Sequence, residues 1–175
     1  MKQLVLAALV LALLPLSLHA QSLPQADVAV NYSLLRVGTG NGYTLNGFSA
    51  SAAYNINDWF GVVGDFGAYH GAGFDLAVET YTFGPRFSYR KSQKIVPFAQ
   101  ALFGGSHASG SLGGFSAGSS NAFAFAFGGG ADIVLGSSGK FAFRPQVEYF
   151  GFHSGGPTTN AARISLGLVY HIGGK

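Results

Sequence analysis

Arg163-Ile-Ser-Leu-Gly-Leu-Val-Tyr-His-Ile172, close to the carboxyl terminus, places a large apolar residue at every second position. One set of alternate positions holds Ile164, Leu166, Leu168, Tyr170 and Ile172, and the other includes Arg163, Ser165, Gly167 and His171. Successive side chains of a β-strand point to opposite faces, so this segment predicts a strand with one apolar face and one face that carries charge. Segments of about ten residues with the same alternation recur upstream, a pattern typical of strands that cross a membrane as a closed barrel.

The amino-terminal segment has the parts of a secretory signal peptide. Lys2 precedes an uninterrupted apolar run from Leu4 to Leu14, which Pro15 follows, and a short exit segment ends at Ala20. The run is shorter than the ~20 residues that a membrane-spanning helix needs, so we expect cleavage after Ala20 rather than a helical anchor. The sequence thus predicts a signal peptide over residues 1–20 and one exported barrel domain over residues 21–175.

The composition agrees with an exported chain whose outer wall faces lipid. There is no cysteine, so disulfides do not hold the chain together. Charged residues make up 10% of the chain, against roughly 25% in soluble domains. The formal net charge of +3 is too small to indicate a nucleic-acid partner.

Eight alternating segments follow the signal peptide. Their predicted bounds are 26–37, 48–56, 60–69, 76–90, 95–106, 121–135, 141–153 and 161–172. The longest predicted connection is the Ser- and Gly-rich segment from His107 to Ser120. Connections near Asp58, Ser92 and Ser137 are predicted to be short and the intervening ones mostly longer, which in outer-membrane barrels corresponds to periplasmic turns and external loops. An even strand number then returns both termini to the periplasm.

The direction of the alternation distinguishes a membrane barrel from a soluble one. A soluble carrier barrel also alternates, but its apolar residues line the interior. Here charged residues occupy the face opposite to the aromatic residues: Asp65, Arg86, Asp132, Arg144, Glu148 and Arg163. The sequence therefore predicts an all-β fold, an eight-stranded antiparallel up-and-down transmembrane β-barrel in the outer membrane.

These six charged residues are the predicted lumen polar network. An eight-stranded barrel has an interior just wide enough for side chains to fill, so the acids and the arginines must neutralise each other there. We expect a packed polar plug, and a narrow pore for small solutes is the alternative. Four aromatic residues beside the short turns predict a periplasmic aromatic girdle: Trp59, Phe60, Tyr89 and Phe141.

Several stretches resemble the outer-membrane β-barrel domain family, the small OmpA/OmpX-like group. They are Gly42–Phe48 leading into Ala53–Gly61, the segment Gly128–Asp132 and the segment Arg144–Tyr149. The resemblance covers nearly all of the chain after residue 20 and implies barrel architecture rather than an activity. It implies a monomer in contact with outer-membrane lipid and lipopolysaccharide, assembled by the barrel-assembly machinery. The expected role of the protein is then a structural one in the envelope, or one in surface interactions through the loops.

A catalytic alternative rests on His153 and Ser154 with Glu148 on the same strand. Outer-membrane lipid A deacylases use such a trio, but there one residue separates His from Ser. Adjacent residues of a strand point to opposite faces, so we expect no enzyme activity. The histidines lie on separate segments without short ligand spacing, so the sequence predicts no metal site, and nothing in it indicates another cofactor.

Overall fold

The computed structural model describes residues 24–38, 42–71, 75–92, 94–112 and 115–173, and the predicted signal peptide lies outside them. The strands are β1 (Ala26–Val37), β2 (Tyr43–Asn55), β3 (Phe60–Gly71), β4 (Asp75–Ser88), β5 (Ile95–Leu112), β6 (Phe115–Leu135), β7 (Phe141–His153) and β8 (Thr159–Ile172). Each strand pairs antiparallel with the next, and β8 pairs with β1, so the sheet closes. This confirms the predicted eight-stranded up-and-down barrel.

The barrel has two ends, which are named here by what they carry. The terminal end is where β1 begins and β8 ends, with Ala26 opposite Ile172. The hairpin end is where β5 and β6 meet, with Leu112 opposite Phe115. Among the residues that the structure describes, no helix is long and apolar enough to cross a membrane.

The burial of side chains alternates along the strands, and its direction is the predicted one. On β4, Phe83 is 70% exposed while its neighbour Thr82 is 4% exposed. The exposed set over all strands is dominated by Phe, Tyr, Leu, Ile and Val, whereas the buried set includes most of the charged strand residues. The outer wall is therefore apolar and the interior holds the charges, the arrangement of a barrel surrounded by lipid.

The prediction of a long loop from His107 to Ser120 is wrong. β5 continues to Leu112, β6 begins at Phe115, and His107 pairs with Asn121 within this extended hairpin. Serine and glycine have a low intrinsic preference for strands, which favoured a loop. The ladder hydrogen bonds between two adjacent strands override that preference, with an irregularity of register between Gly110 and Ser111.

Connection length does not distinguish the two ends, contrary to the prediction. The gaps between strands are two to five residues long at the hairpin end and four to six at the terminal end. Cross-strand pairing extends through residues assigned to loops, since β2 already begins at Tyr43, opposite Val37, and β4 at Asp75. Conversely, β4 ends at Ser88, two residues before its predicted end. The ends differ instead in the β5–β6 hairpin, because residues 115–122 of β6 pair with β5 but not with β7.

Candidate functional site in the barrel interior

A continuous chain of ion pairs and hydrogen bonds crosses the interior, and its first part lies near the terminal end. Arg144 on β7 donates two hydrogen bonds to the carboxylate of Asp132 on β6, from Nε to Oδ1 at 2.5 Å and from Nη2 to Oδ2 at 2.8 Å. The same Nη2 donates to Oδ1 of Asp27 on β1 at 3.0 Å. Arg86 on β4 donates from Nη1 to that Asp27 oxygen at 3.2 Å. Asp27 is thus shared by two arginines.

Gln100 on β5 connects this part to the second one. Its Oε1 accepts a bond from Arg86 Nε at 2.8 Å, and its Nε2 donates to Glu148 Oε1 at 2.8 Å. Glu148 Oε2 in turn accepts a bond from Nε of Arg163 on β8 at 2.7 Å. Arg163 Nη1 reaches Asp65 Oδ1 on β3 at 2.7 Å. The chain therefore has members on seven of the eight strands, all but β2.

The structure brings all six residues of the predicted lumen network together. Each of them is at most 5% exposed, and each takes part in at least one ion pair. Three further members are Asp27, Gln100 and Tyr69, whose hydroxyl accepts a bond from Arg163 Nη1 at 2.8 Å. Strand parity would have found Asp27, because it shares the inward face of β1 with Asn31 and Ser33.

Aromatic rings cover the guanidinium groups and keep them away from water. The ring of Phe98 contacts two of them, with its centroid 4.6 Å from the Cζ of Arg86 and 4.9 Å from that of Arg144. Phe150 covers Arg163 in the same way at 4.8 Å. A cation over the face of a ring is attracted by its quadrupole, and more strongly where water is excluded.

Glycines on the inward face provide the room that the network needs. A Cβ added to Gly67 would lie 2.3 Å from the hydroxyl oxygen of Tyr69, so the ring can fold along β3 toward Arg163 only because Gly67 has no side chain. A Cβ on Gly128 would lie 2.7 Å from Cγ of Glu148. The glycine-rich sequence therefore makes space for large polar side chains in a narrow barrel.

The buried charges are close to balance. Among the described residues, four buried carboxylates, those of Asp27, Asp65, Asp132 and Glu148, face three buried guanidinium groups. A fourth cation, Arg90, lies half-buried in the β4–β5 connection and donates from Nη2 to Asn55 Oδ1 at 2.8 Å. Burial lowers the pKa of the Arg90 guanidinium, while the Asp27 and Asp132 carboxylates act in the opposite direction. Arg90 thus contributes positive charge near the entrance at the terminal end.

The interior is apolar beyond Arg163, toward the hairpin end. Leu35 lies opposite Arg163 in the β1–β8 pairing, and a cluster of buried apolar side chains extends from it toward the hairpin end. Its larger members include Leu35, Val37, Leu45, Tyr69, Val78, Leu102 and Phe150. The predicted polar plug therefore occupies only part of the interior, and the apolar cluster occupies the part toward the hairpin end.

The predicted girdle residues all lie at the terminal end, and three of the four contact further aromatic rings. Trp59 stacks on Phe87 with ring centroids 5.9 Å apart, and Phe60 lies 5.4 Å from the same ring. Phe141 lies 5.2 Å from Tyr170. The fourth residue, Tyr89, is 58% exposed and supports the ammonium group of a neighbouring lysine. Their assignment to the periplasmic side stays a prediction.

The catalytic trio considered from the sequence is not assembled. Glu148 is 1% exposed inside the barrel and bound to Arg163, whereas His153 is exposed at the end of β7. A different polar group, missed in the sequence, lies outside near the hairpin end: His107 Nδ1 is 2.8 Å from Asn121 Oδ1, and Glu79 pairs opposite His107. In the part of the chain that the structure describes, no three His, Cys, Asp or Glu side chains group as metal ligands.

A comparison with protein families matches this architecture. The family model described as "Outer membrane protein beta-barrel domain" matches residues 6–171. The chain belongs to the outer-membrane β-barrel family. No curated protein sequence matches it significantly.

Solved structures similar to this outer-membrane barrel share its fold at low sequence identity. Neisserial surface protein A (NspA) superposes with a TM-score of 0.68 at 17% identity, over 85% of this chain and 97% of NspA. Ail, the attachment invasion locus protein of Yersinia pestis, gives 0.60 at 20% identity, over 83% and 96%. The outer membrane enzyme PagL gives 0.50 at 17% identity, over 81% and 99%.

We expect Arg163→Met to destabilise this outer-membrane barrel by about 3–5 kcal/mol, because Asp65 and Glu148 would remain as buried charges without their partner. The triple variant Arg163→Met, Asp65→Leu, Glu148→Met should regain most of that loss. Denaturant-induced unfolding in lipid vesicles measures the free energy of unfolding of both variants. Arg36→Met, an exposed arginine at the hairpin end, is the control and should cost less than about 1 kcal/mol. A loss equal to this control would contradict the buried network.

Proposed function

We propose that this outer-membrane barrel is a non-conducting envelope protein, a rigid wall that presents its hairpin end for surface contacts. The observation that carries the proposal is the filled interior. The ion-pair chain occupies the barrel from Asp132 to Arg163, and the apolar cluster continues from Leu35 toward the hairpin end. A solute that crossed the barrel would have to break buried ion pairs, each strongly destabilised by loss of one partner.

The hairpin end supports a role in surface contacts. The β5–β6 hairpin extends beyond β7, and residues 115–122 of β6 therefore present backbone groups on the side away from β5. An unpaired strand edge is a ready partner for another extended segment. NspA and Ail, which share the fold, carry names that refer to a surface and to attachment. The resemblance is one of fold and leaves the partner of this chain open to experiment.

Planar-bilayer recording tests the filled interior. Purified protein inserted at increasing amounts should give no stable, reproducible channel openings, because the ion-pair chain and the apolar cluster occupy the interior. A 16-stranded porin, whose barrel encloses an aqueous channel, is the positive control for insertion and detection. Openings of reproducible conductance that scale with the amount of this protein would overturn the proposal in favour of a narrow pore.

The orientation that fits this role has both termini and the terminal-end connections in the periplasm. The support is the β5–β6 hairpin at the opposite end, in which residues 115–122 of β6 extend beyond the ladder with β7, since outer-membrane barrels carry their larger extensions outside. The chain has no cysteine, so the labelling of a single introduced cysteine shows on which side of the membrane that residue lies, without labelling of other residues. A membrane-impermeant maleimide should label Ser154→Cys on intact cells and leave Ser137→Cys unlabelled until the outer membrane is opened. Labelling of Ser137→Cys but not of Ser154→Cys on intact cells would show the opposite orientation.

A second candidate function is hydrolysis of acyl esters at the outer wall, and one arrangement favours it. His107 and Ser109 are separated by one residue of β5, which places both on the outward face. When His107 Nδ1 carries the proton it donates to Asn121 Oδ1, and Nε2 is left to act as a base. Ser109 Oγ would then attack an ester carbonyl and pass its proton through His107 to the leaving alcohol, and water would release the acid.

Release of fatty acid from lipid A and from phospholipid vesicles separates the two candidates. The non-conducting scaffold predicts no release above vesicles without protein, because no hydrogen bond joins Ser109 to His107 among the described contacts. Release that disappears in both Ser109→Ala and His107→Ala, and persists in Ser119→Ala on the adjacent strand, would establish the hydrolase instead.

A further inference from the structure

The exposed charges of the barrel are divided unequally between its two ends. All lysines that the structure describes lie in connections at the terminal end: Lys91 and Lys94 between β4 and β5, and Lys140 before β7. The carboxylate in the described terminal-end connections is that of Asp58, on the β2–β3 connection. At the hairpin end, the exposed Arg36 is accompanied by the exposed Glu79. The terminal end is therefore the cationic one.

The three lysines are exposed, and the backbone of two of them is hydrogen-bonded to an adjacent strand. The Lys94 carbonyl accepts a bond from the Val134 N–H at 2.8 Å, and the Lys140 carbonyl accepts one from the His171 N–H at 2.8 Å. Each of these two residues is thus held to an adjacent strand. Lys94 precedes β5 and Lys140 precedes β7, two strands apart, which is about 10 Å along the rim. Together with Lys91 they form a lysine arc on the β4–β7 side of the barrel.

The aromatic residues fix the depth of this arc relative to the membrane. Lys91 Nζ lies over the Tyr89 ring at 5.7 Å from its centroid. Exposed Tyr and Trp rings of membrane proteins sit at the level of the lipid headgroups. Phe87, two residues before Tyr89, stacks with Trp59 and extends the same aromatic surface. The ammonium group of Lys91 is therefore at the depth of lipid phosphates.

We propose that the lysine arc binds the phosphates of anionic glycerophospholipids in the leaflet around the terminal end. The charge is complementary, the lysine side chains are exposed, and the adjoining exposed wall of Phe87, Tyr89 and Phe141 accommodates acyl chains. A lysine near an anionic membrane surface strengthens binding by about fivefold. The choice of phospholipid over the phosphates of lipid A rests on the proposed orientation, which puts this end in the periplasmic leaflet.

The single tryptophan of the chain is a built-in reporter for this binding. Trp59 stacks on Phe87, and its carbonyl accepts a bond from the Ser88 N–H at 2.8 Å, so it lies against the strand that leads to Lys91. The full chain is reconstituted in phosphatidylcholine vesicles, in which a fraction of the lipid is replaced by brominated phosphatidylcholine or brominated phosphatidylglycerol. Bromine quenches Trp59 fluorescence when the labelled lipid is adjacent.

At equal mole fraction, brominated phosphatidylglycerol should quench Trp59 more, with a relative binding constant about fivefold above that of brominated phosphatidylcholine. The variant Lys91→Gln, Lys94→Gln, Lys140→Gln should bring this ratio to about one, and high salt should lower it in the unaltered chain. Arg36→Gln removes one cation at the hairpin end and should leave the ratio unchanged. Heat-modifiable migration on gels establishes that each variant has folded.

Equal quenching by the two lipids in the unaltered chain would overturn the proposal, and so would a preference that survives in the triple lysine variant. Displacement of brominated phosphatidylglycerol by lipid A more readily than by unlabelled phosphatidylglycerol would overturn the choice of phospholipid. The vesicle experiment requires neither a closed interior nor a defined orientation. A negative result would therefore leave the non-conducting scaffold standing, and channel openings would leave the lysine arc standing.

Discussion

The bridging of Glu148 and Asp65 by Arg163 is the interaction on which the rest of the interior depends. Arg163 is fully buried. It joins β8 to its neighbour β7 through Glu148, and to β3 through Asp65. β3 lies on the opposite side of the barrel from β7. The interior of an eight-stranded barrel is just wide enough for side chains to fill, so each buried guanidinium must find its carboxylates among the inward residues. The need for pairing therefore constrains which inward side chains lie at each height of the barrel.

This constraint connects the interior to the wall and to the ends. Inward charge requires rings and small residues around it, which accounts for Phe98 in contact with two arginines and for glycine at position 128 beside Glu148. The outward face has no such demand and is filled by large apolar side chains that face lipid. The remaining cations lie at the rim, where the lysines of the terminal end meet the headgroup region. The barrel thus separates paired charge inside from exposed charge at its ends, with the lysines at the terminal end.

The sequence predicted the architecture well because alternation is a local property. Each strand reveals its two faces within a few residues, so the inward positions of Asp65, Arg144 and Arg163 follow from parity alone. The ion-pair partners of these residues do not follow from parity, because they depend on how β8 closes against β1 and on the register of all the strands between β1 and β8. Alternation also places Gln100 on the inward face of β5, yet its position between Arg86 and Glu148 requires that closure. The β5–β6 hairpin was missed because Ser and Gly do not signal a strand, although two strands already in register can extend through them.

Hydrogen exchange at the Arg163 side chain tests the central claim most directly. In a barrel sealed by paired charges on one side and by the apolar cluster on the other, the Arg163 Nε–H donates to Glu148 and has no contact with water. Nuclear magnetic resonance of the protein in lipid bilayers, after transfer to deuterated water, should show this N–H persisting long after that of the exposed Arg36 has exchanged. Exchange of both at the same rate would show that water reaches the middle of the barrel, and would contradict a filled interior.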